Sequence, residues 1–254
     1  MSAFPDALPP APLDEYDNQP PLTEVQRVTD VFFAPTKTFA DVRRNRSWWL
    51  PFVVMLVFGY IFSTTVMHKV NPRNMAMAAL QNNSAQYERL QNASEEDRER
   101  TLGFTEGVMR ISLWGWPVFT LAATAVSALL LWVGFNFILG GSSTYKGMFT
   151  VSIFAFLPTI LRSILATILL LAGQTENFNI SDPIGTNPGF YLGPDASHFM
   201  KSLLSSLDLF SIWTLLLMAV GGAIVARVKV QKGVFMVCVV WLVCVLGKAA
   251  VAAL

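Results

Sequence analysis

Five uninterrupted apolar runs constrain this chain more than any other feature of its sequence. Each run is long enough to cross the hydrocarbon core of a bilayer, which takes about 20 apolar residues in an α-helix. Because a backbone in lipid must satisfy its own hydrogen bonds, these runs are predicted to be helices. The sequence therefore predicts an all-α integral membrane protein, a bundle of five transmembrane helices. The predicted spans are about residues 48–67, 111–139, 147–172, 203–226 and 233–254.

The composition agrees with that of an integral membrane protein. Only 14% of the residues are charged and 53% are hydrophobic, whereas soluble domains carry roughly 25% charged residues. The formal net charge is +1, so no basic field exists that would draw the protein to nucleic acid. The lipid bilayer is the first partner that this composition implies, and no nucleic-acid partner is expected.

Residues 1–22 differ from the rest of the chain because they are rich in proline and acidic residues. Such a stretch cannot bury enough apolar surface to offset its ordering entropy, so a disordered tail is predicted. It has neither a basic start nor an apolar run, and it is not a signal peptide. The prolines are Pro5, Pro9, Pro10, Pro12, Pro20 and Pro21, and the acidic residues are Asp6, Asp14, Glu15 and Asp17.

Residues 23–47 are predicted to form an N-terminal amphipathic helical segment. Thr23 and Gln26 have the spacing of a capping box, and Pro35 ends the first short helix so that a second begins near Thr36. Two interpretations remain open, since helices on a membrane surface and helices packed beneath the bundle share this pattern. Apolar positions are Val25, Val28, Val31, Phe32, Phe39 and Val42, and the polar side is assigned Lys37, Asp41, Arg43, Arg44 and Arg46.

The positions of lysine and arginine predict the orientation. Basic residues precede the first span and occupy the short turns at 140–146 and 227–232, and such residues mark the cytoplasmic side. We therefore expect the N-terminus in the cytoplasm and the C-terminus outside, with the polar segments 68–110 and 173–200 on the outer side. The 68–110 segment opposes this assignment, since it carries Lys69, Arg73, Arg100 and Arg110.

Arg162 is the first candidate site residue, because a charge inside a span is costly and is usually paired or faces a cavity. Asp208 lies at a compatible depth in the neighbouring predicted span, so an intramembrane ion pair between Arg162 and Asp208 is predicted. Its role is either a clamp between helices or part of a substrate or proton path. We favour the clamp, since no further acidic residues or histidines continue inward as a relay. Pro158, one turn earlier, is predicted to kink the third span.

Catalytic, cofactor and metal motifs are missing from the sequence. It has no His-Glu-x-x-His, no Gly-x-Ser-x-Gly and no phosphate-binding loop of the Gly-Lys-Ser/Thr type. His68 and His198 fall in separate loops, and Cys238 and Cys244 lie on different faces of one predicted helix. We therefore expect no enzyme activity, no cofactor and no metal site.

Three segments resemble the Ypt-interacting protein (Yip) family of polytopic membrane proteins, in its bacterial form. They are FFAPTKTFADVRRNRSWWLPF at 32–52, LGGSSTYKGMFTVSIFAFLPTIL at 139–161 and SLDLFSIWTLLLMAVG at 206–221. The resemblance implies five spans, a cytoplasmic N-terminus and, for a bacterial chain, the inner membrane. Eukaryotic members of the family bind small GTPases, but their Asp-Leu-Tyr-Gly-Pro signature is absent here, so GTPase binding is not supported.

The function expected from these features is that of a membrane scaffold or adaptor with a basic cytoplasmic face. Arg43, Arg44, Arg46, Trp48 and Trp49 are the residues expected to contact the membrane or a protein partner there. The alternative is a small-solute or lipid transporter that uses the Arg162 and Asp208 region within the bundle. The absence of an obvious internal repeat counts against transport.

Overall fold

The computed structural model describes residues 20–81, 84–175, 178–180, 182–193 and 196–252. Most of the predicted N-terminal tail, residues 1–19, lies outside the described residues. All regular elements in the described part are helical. The α-helices are α1 Glu24–Phe33, α2 Pro35–Arg44, α3 Trp49–Lys69, α4 Pro72–Gln81, α5 Ser84–Gln91, α6 Glu95–Val133, α7 Tyr145–Ala155, α8 Pro158–Leu171, α9 His198–Ser205, α10 Leu209–Ala226 and α11 Val230–Ala252. A π-helix, Gly134–Ile138, continues α6, and a 3₁₀ turn covers Pro188–Tyr191.

Five helical segments of the described chain are long and apolar enough to cross a membrane. This confirms the predicted fold class, a five-span helical membrane protein. The segments are Trp49–Lys69, Glu95–Ile138, Tyr145–Leu171, Leu209–Ala226 and Val230–Ala250.

Two helices begin at residues other than the starts of the spans predicted on them. The helix that carries the second span begins at Glu95, ahead of the apolar run, because Ser94 caps the helix and accepts a hydrogen bond from the Asp97 N–H, and three acidic residues favour its first turn. The helix that carries the fourth span begins at Leu209 and not near residue 203, because α9 ends at Ser205 and Asp208 caps a new helix. Because α9 and α10 are both apolar, a hydropathy profile joins them into one span and does not show the helix cap between them.

The third span is interrupted in the middle of the bundle. α7 ends at Ala155, and α8 starts at Pro158, which occupies a first-turn position where a missing N–H is tolerated. The turn between them is closed by short-range hydrogen bonds from the N–H groups of Leu157 and Thr159 to the carbonyls of Phe154 and Phe156. The span therefore consists of two helices with a bend at the predicted proline.

The two short N-terminal helices are packed into the bundle as an antiparallel hairpin. Val31, Phe39 and Val42 are fully buried in the same core as the spans. Phe39 lies so close to α10 that a Cβ on Gly221 would stand 2.7 Å from its ring, and Phe32 meets Trp213 edge-on with ring centroids 5.8 Å apart. Of the two interpretations left open by the sequence, packing within the bundle is the observed one.

The bundle has two ends with different chemistry. At one end, here called the basic end, α3, α7 and α11 begin and α10 finishes. The Ser142 N–H donates to the Ala226 carbonyl over 3.0 Å, which ties the turn before α7 to the end of α10. The opposite end, here called the loop end, carries α4, α5, the start of α6 and the 172–208 segment. Basic residues near the basic end are Arg43, Arg46, Lys146, Arg227, Lys229 and Lys232.

Candidate functional site

A small pocket with three arginines opens at the basic end. Its volume is about 170 Å³. The lining residues come from the end of the N-terminal hairpin, the turn before α7 and the end of α10, so three separate parts of the chain build it. We call it the basic pocket, and its residues are Arg43, Arg46, Ser142, Ser143, Thr144, Val225 and Arg227.

The turn that supplies the hydroxyl groups is fixed by side chains of the second span. The Asn136 side chain accepts a hydrogen bond from the Ser143 N–H at 2.8 Å and donates to the Ser143 carbonyl at 2.9 Å. The Trp132 indole N–H donates to the same carbonyl at 3.3 Å. Gly141 permits the turn, since a Cβ there would lie 2.8 Å from the Ala226 carbonyl oxygen. Asn136 therefore holds one wall of the basic pocket.

Arg227 occupies an unusual backbone conformation. It caps the C-terminus of α10 with φ 59° and ψ 39°, the left-handed region that glycine favours. A non-glycine residue there costs roughly 1 kcal/mol or more, and such strain collects at functional positions. The arginine is exposed and lines the basic pocket. Glycine would adopt this backbone without strain, so the arginine side chain is present here at an energetic cost.

The residues predicted to contact the membrane or a partner separate into groups in the structure. Arg43 and Arg46 line the basic pocket, whereas Arg44 pairs with Asp41 at 2.9 Å. Trp48 is half-buried and packs edge-on against Phe149, with ring centroids 5.4 Å apart. Trp49 is 55% exposed at the start of α3, where an indole can lie among lipid headgroups.

A buried ion cluster, missed by the sequence analysis, holds the hairpin beneath the pocket. Arg27 is fully buried and Asp41 is 1% exposed, and the Arg27 Nε lies 3.3 Å from the Asp41 carboxylate. The Arg27 guanidinium donates to the Asn45 carbonyl at 2.6 Å and to Glu24 at 3.3 Å, and it stands over the Phe154 ring. The Arg27 cluster, Glu24, Arg27, Asp41 and Asn45, thus joins the start of α1 to the end of α2.

The pKa of the Arg27 guanidinium is lowered, chiefly because the group is buried, and the carboxylates of Glu24 and Asp41 offset part of that effect. Arginine remains protonated at physiological pH in proteins, so the cluster is ionic.

Assigning Asp41 to the polar side of the second helix was wrong. Its carboxylate accepts hydrogen bonds from the Leu22 N–H and Arg44, and the residue is only 1% exposed. A sequence signal for the cluster did exist. Arg27 precedes Val31 by four residues and therefore shares its apolar face, and a charge on such a face requires a buried partner.

The structure does not bring Arg162 and Asp208 together as an ion pair. Asp208 caps α10, where its carboxylate accepts hydrogen bonds from the Ser211 N–H at 3.0 Å and from the Thr186 hydroxyl. Ion pairs between described residues include none that joins it to Arg162. The predicted pair is therefore not observed. The reason is that Asp208 stands at the start of its span and not one turn inside it.

A larger cavity of about 440 Å³ lies between α3, α6 and α8 at the level of the bend in the third span. Its wall is mainly apolar but carries hydroxyl groups, and the Trp116 indole Nε1 is buried without a hydrogen-bond partner among the described residues. We call it the intramembrane cavity. Residues that line it include Met55, Gly59, Ser63, Ser112, Trp116, Thr120, Ala123, Phe156, Thr159 and Ser163.

Metal ligands do not gather in the part of the chain that the structure describes. No group of three or more His, Cys, Asp or Glu side chains there is arranged to hold a metal ion. Cys238 and Cys244 are free thiols, both exposed on the surface of α11. Neither supports a cofactor site.

The five spans define a multi-pass α-helical membrane protein, and the basic pocket lies at one end of it. Residues 29–251 match the Yip1 domain, so the chain belongs to the Yip1 family. This confirms the resemblance predicted from the three sequence segments. The family is not a known enzyme family. Comparisons with curated proteins and with solved structures give no match.

Proposed function

We propose that this protein is a non-enzymatic membrane scaffold or adaptor that binds a protein partner at its basic end. The observation that carries the proposal is that three arginines from separate parts of the chain line one pocket at the basic end. Arg43 and Arg46 follow the packed hairpin, and Arg227 caps a span.

The chemistry of the basic end favours an acidic partner segment. Arginine presents a planar fork of donors that suits carboxylate groups, and it is common at the centres of protein interfaces. The exposed lysines around the pocket add attraction that speeds association. These features support docking of a partner, and no bound substrate or chemical step is required.

The proposal includes an orientation in which the basic end faces the cytoplasm of a bacterium and the chain lies in the inner membrane. The positive-inside rule supports it, since the basic end carries six lysines and arginines close to span ends. This orientation places the N-terminus inside and the C-terminus outside. Labelling of a single cysteine at Lys229 or at Gly103 with an impermeant maleimide in intact cells tests it, after Cys238 and Cys244 are replaced by serine. Labelling at Gly103 alone is expected, and labelling at Lys229 alone would reverse the assignment.

Co-purification in native lipid tests the scaffold proposal. The protein is extracted in polymer discs, and proteins present in stoichiometric amount are identified by mass spectrometry. A recurrent partner should be lost when Arg43, Arg46 and Arg227 are changed to Gln. It should remain when Lys146, Lys229 and Lys232 are changed to Gln, which removes the same charge at the same end. A preparation that holds only lipid would contradict the proposal.

The intramembrane cavity favours a second candidate, transport of a lipid or a small solute. Irregular backbone at membrane depth is usually found where it lines a cavity, and the turn at Phe156 does so. Transport predicts movement of a fluorescent lipid between the leaflets of proteoliposomes. Filling the cavity with Ala123→Phe should then slow that movement, while Gly247→Ala in α11 should not. Proteoliposomes that move no lipid or solute would remove this candidate.

A further inference from the structure

We infer that the intramembrane cavity holds one acyl chain of a lipid from the leaflet at the loop end. The ligand is an acylated lipid, either a glycerophospholipid or an unesterified fatty acid, and its carbonyl group lies at the outer end of the cavity. A chain that stays bound does not cross the membrane. The inference is therefore independent of the scaffold proposal and does not require transport.

The bend in the third span creates the cavity. α7, which precedes the bend, packs along α6, and the Tyr145 hydroxyl donates to the Ala125 carbonyl at 3.1 Å. α8, which follows the bend, packs along α3 and hardly touches α6 in the described part of the chain. A gap therefore opens between α6 and α8 in the loop-end half of the bundle, and Phe156 at the bend lines its inner end.

The largest side chain in the wall leaves this gap open. The Trp116 indole lies against α3, where its ring meets the Tyr60 ring with centroids 5.9 Å apart, and a Cβ on Gly59 would collide with the indole. Glycine at position 59 therefore provides the room that lets Trp116 pack on α3 and not between α6 and α8. Thr159 and Ser163 remain partly exposed inside the bundle, where they line the cavity.

The depth of the cavity is that of one leaflet. Trp114 is 49% exposed, and the Tyr60 hydroxyl donates to its carbonyl at 3.4 Å. Aromatic residues at span ends lie at the headgroup level. Ala123, near the inner end of the cavity, lies nine residues beyond Trp114 on α6, which is about 14 Å along the helix. Half of a hydrocarbon core is about 15 Å, so the cavity matches the reach of one acyl chain.

The inner wall of the cavity suits methylene groups. The Thr159 hydroxyl donates to the Phe156 carbonyl at 2.6 Å, and the Ser163 hydroxyl donates to the Thr159 carbonyl at 3.2 Å. These polar hydrogens are used within the span and require no acceptor on a ligand. The cavity volume of about 440 Å³ falls within the range of roughly 300–1,000 Å³ of ligand sites, and apolar cavities take up apolar ligands.

The outer end of the cavity carries a hydroxyl group at the level of lipid carbonyls. Ser112 lines the cavity and is exposed, two residues from Trp114 on α6. Its hydroxyl can donate a hydrogen bond to a carbonyl oxygen. A cavity that is apolar within and has a hydroxyl near the headgroup level matches the two parts of an acylated lipid, the chain and its carbonyl.

Photo-crosslinking of the full-length protein in lipid discs tests the inference. The discs contain a trace of phosphatidylcholine that carries a diazirine midway along one acyl chain, and mass spectrometry maps the labelled residues. Labelling of Met55, Thr159 or Ser163 is expected, because they line the cavity and Met55 is only 4% exposed. Exposed residues such as Val118 are reached by the surrounding lipid. Labelling of such exposed residues alone would overturn the inference.

A second arm identifies the source of the acyl chain. It repeats the experiment with palmitic acid that carries the same diazirine. Labelling of the cavity by phosphatidylcholine alone identifies a glycerophospholipid, and labelling by palmitic acid alone identifies an unesterified fatty acid. Labelling by both shows that a chain with a carbonyl group is sufficient. Each of these results supports the inference, and labelling of the cavity by neither probe overturns it.

A matched pair of variants connects the labelling to the cavity. Ala123→Phe fills the cavity and should abolish labelling of Met55, Thr159 and Ser163. Ala122→Phe adds the same group at the neighbouring exposed position, outside the cavity lining, and should leave that labelling unchanged. Thermal unfolding verifies that both variants fold. Equal losses in the two variants would overturn the inference.

Gly59→Ala is a second blocking variant that adds a single methyl group. The new Cβ would displace the Trp116 indole from α3, so labelling of Thr159 and Ser163 should fall. Gly247→Ala in α11 is its control and should not change the labelling. Unchanged labelling in both alanine variants, together with unchanged labelling in Ala123→Phe, would overturn the inference.

The acyl-chain inference and the transport candidate fail in different ways. Labelling of the cavity in a protein that moves no lipid in proteoliposomes supports the inference and removes transport alone. Movement of lipid without labelling of the cavity overturns the inference alone.

Discussion

The two ends of the bundle carry charges that are held in very different ways. At the basic end, the Arg27 cluster is buried, with Arg27 fully inaccessible and Asp41 1% exposed. At the loop end, Arg73 pairs with Glu99 while 53% and 49% of their side chains are exposed. A buried charge fixes its surroundings because its loss leaves a partner uncompensated, whereas an exposed pair contributes little. The two ends therefore differ in how firmly their ion pairs are held, and charge number alone does not distinguish them.

Removal of Arg27 should have the largest effect. Arg27→Met leaves the Asp41 carboxylate buried without its main counter-charge, and the expected loss of unfolding free energy is about 3–5 kcal/mol. The double variant Arg27→Met with Asp41→Leu should recover much of it, since a buried pair can be replaced by apolar groups. Thermal unfolding in detergent measures both variants. A single variant that unfolds at the wild-type temperature would show that the cluster does not hold the hairpin.

Substitution of Gly221 tests the contact between the hairpin and α10. A Cβ there would stand 2.7 Å from Phe39 and 2.8 Å from Val151, so Gly221→Ala should cost about 1–3 kcal/mol through overpacking. Gly247→Ala is the matched control, since in the described part of the chain nothing but its own helix backbone and chain neighbours approaches its Cβ position within 4 Å. Thermal unfolding compares the two alanines. Equal effects would mean that Phe39 moves aside at no cost.

Substitution of Asp208 distinguishes a helix cap from an intramembrane ion pair. Asp208→Ala removes the cap of α10 and should cost about 0.5–2 kcal/mol, while Asp208→Asn retains a capping side chain and should cost much less. Guanidinium or thermal denaturation of the purified variants provides the comparison. If Asp208→Asn is as harmful as Asp208→Ala, the carboxylate charge matters and the ion pair predicted from the sequence regains support.

The Arg73–Glu99 pair at the loop end should show the smallest effect. The hydrogen bonds from Arg73 lower the pKa of the Glu99 carboxyl. A lowered carboxyl pKa contributes stability above the pKa of the unfolded chain and loses it as the pH falls through the folded value. Glu99→Gln should therefore lower the melting temperature slightly at neutral pH and not at all at acid pH. A difference that persists in acid would show that Glu99 acts through packing and not through its charge.

The architecture was predictable from the sequence because the spans are continuous apolar runs, and hydrophobicity over 20 residues needs no tertiary information. The start of α6 was not predictable from hydrophobicity, because residues 95–110 are polar. The helix over these residues depends on the Ser94 cap and on local helix propensity. The start of α10 was hidden by the apolar residues of α9. Both differences arise where the ends of an apolar run and the ends of a helix do not coincide.

The sites were less predictable than the fold. Arg43 and Arg46 were identified from their charge, and the 227–232 turn was predicted at the same end of the bundle, but the close approach of Arg227 to them depends on tertiary packing. The role of Asn136 was not predictable, because the residue lies in an apolar run. Its position beside the 142–144 turn depends on a π-helix, which hydrophobic periodicity does not indicate. Asp41 is close in sequence to Arg43, Arg44 and Arg46, so the sequence indicated a polar, exposed position and not the buried one that is observed.

Hydrogen–deuterium exchange of the protein in lipid discs tests most directly whether the α1–α2 hairpin belongs to the bundle. If Arg27, Phe39 and Val42 are buried against α7 and α10 as described, the amides of Glu24–Phe33 and Pro35–Arg44 should exchange as slowly as those of Leu209–Ala226. A hairpin whose amides exchange within seconds while those of α10 stay protected would contradict the packed hairpin. The placement of Arg43 and Arg46 beside Arg227 would then lose its support.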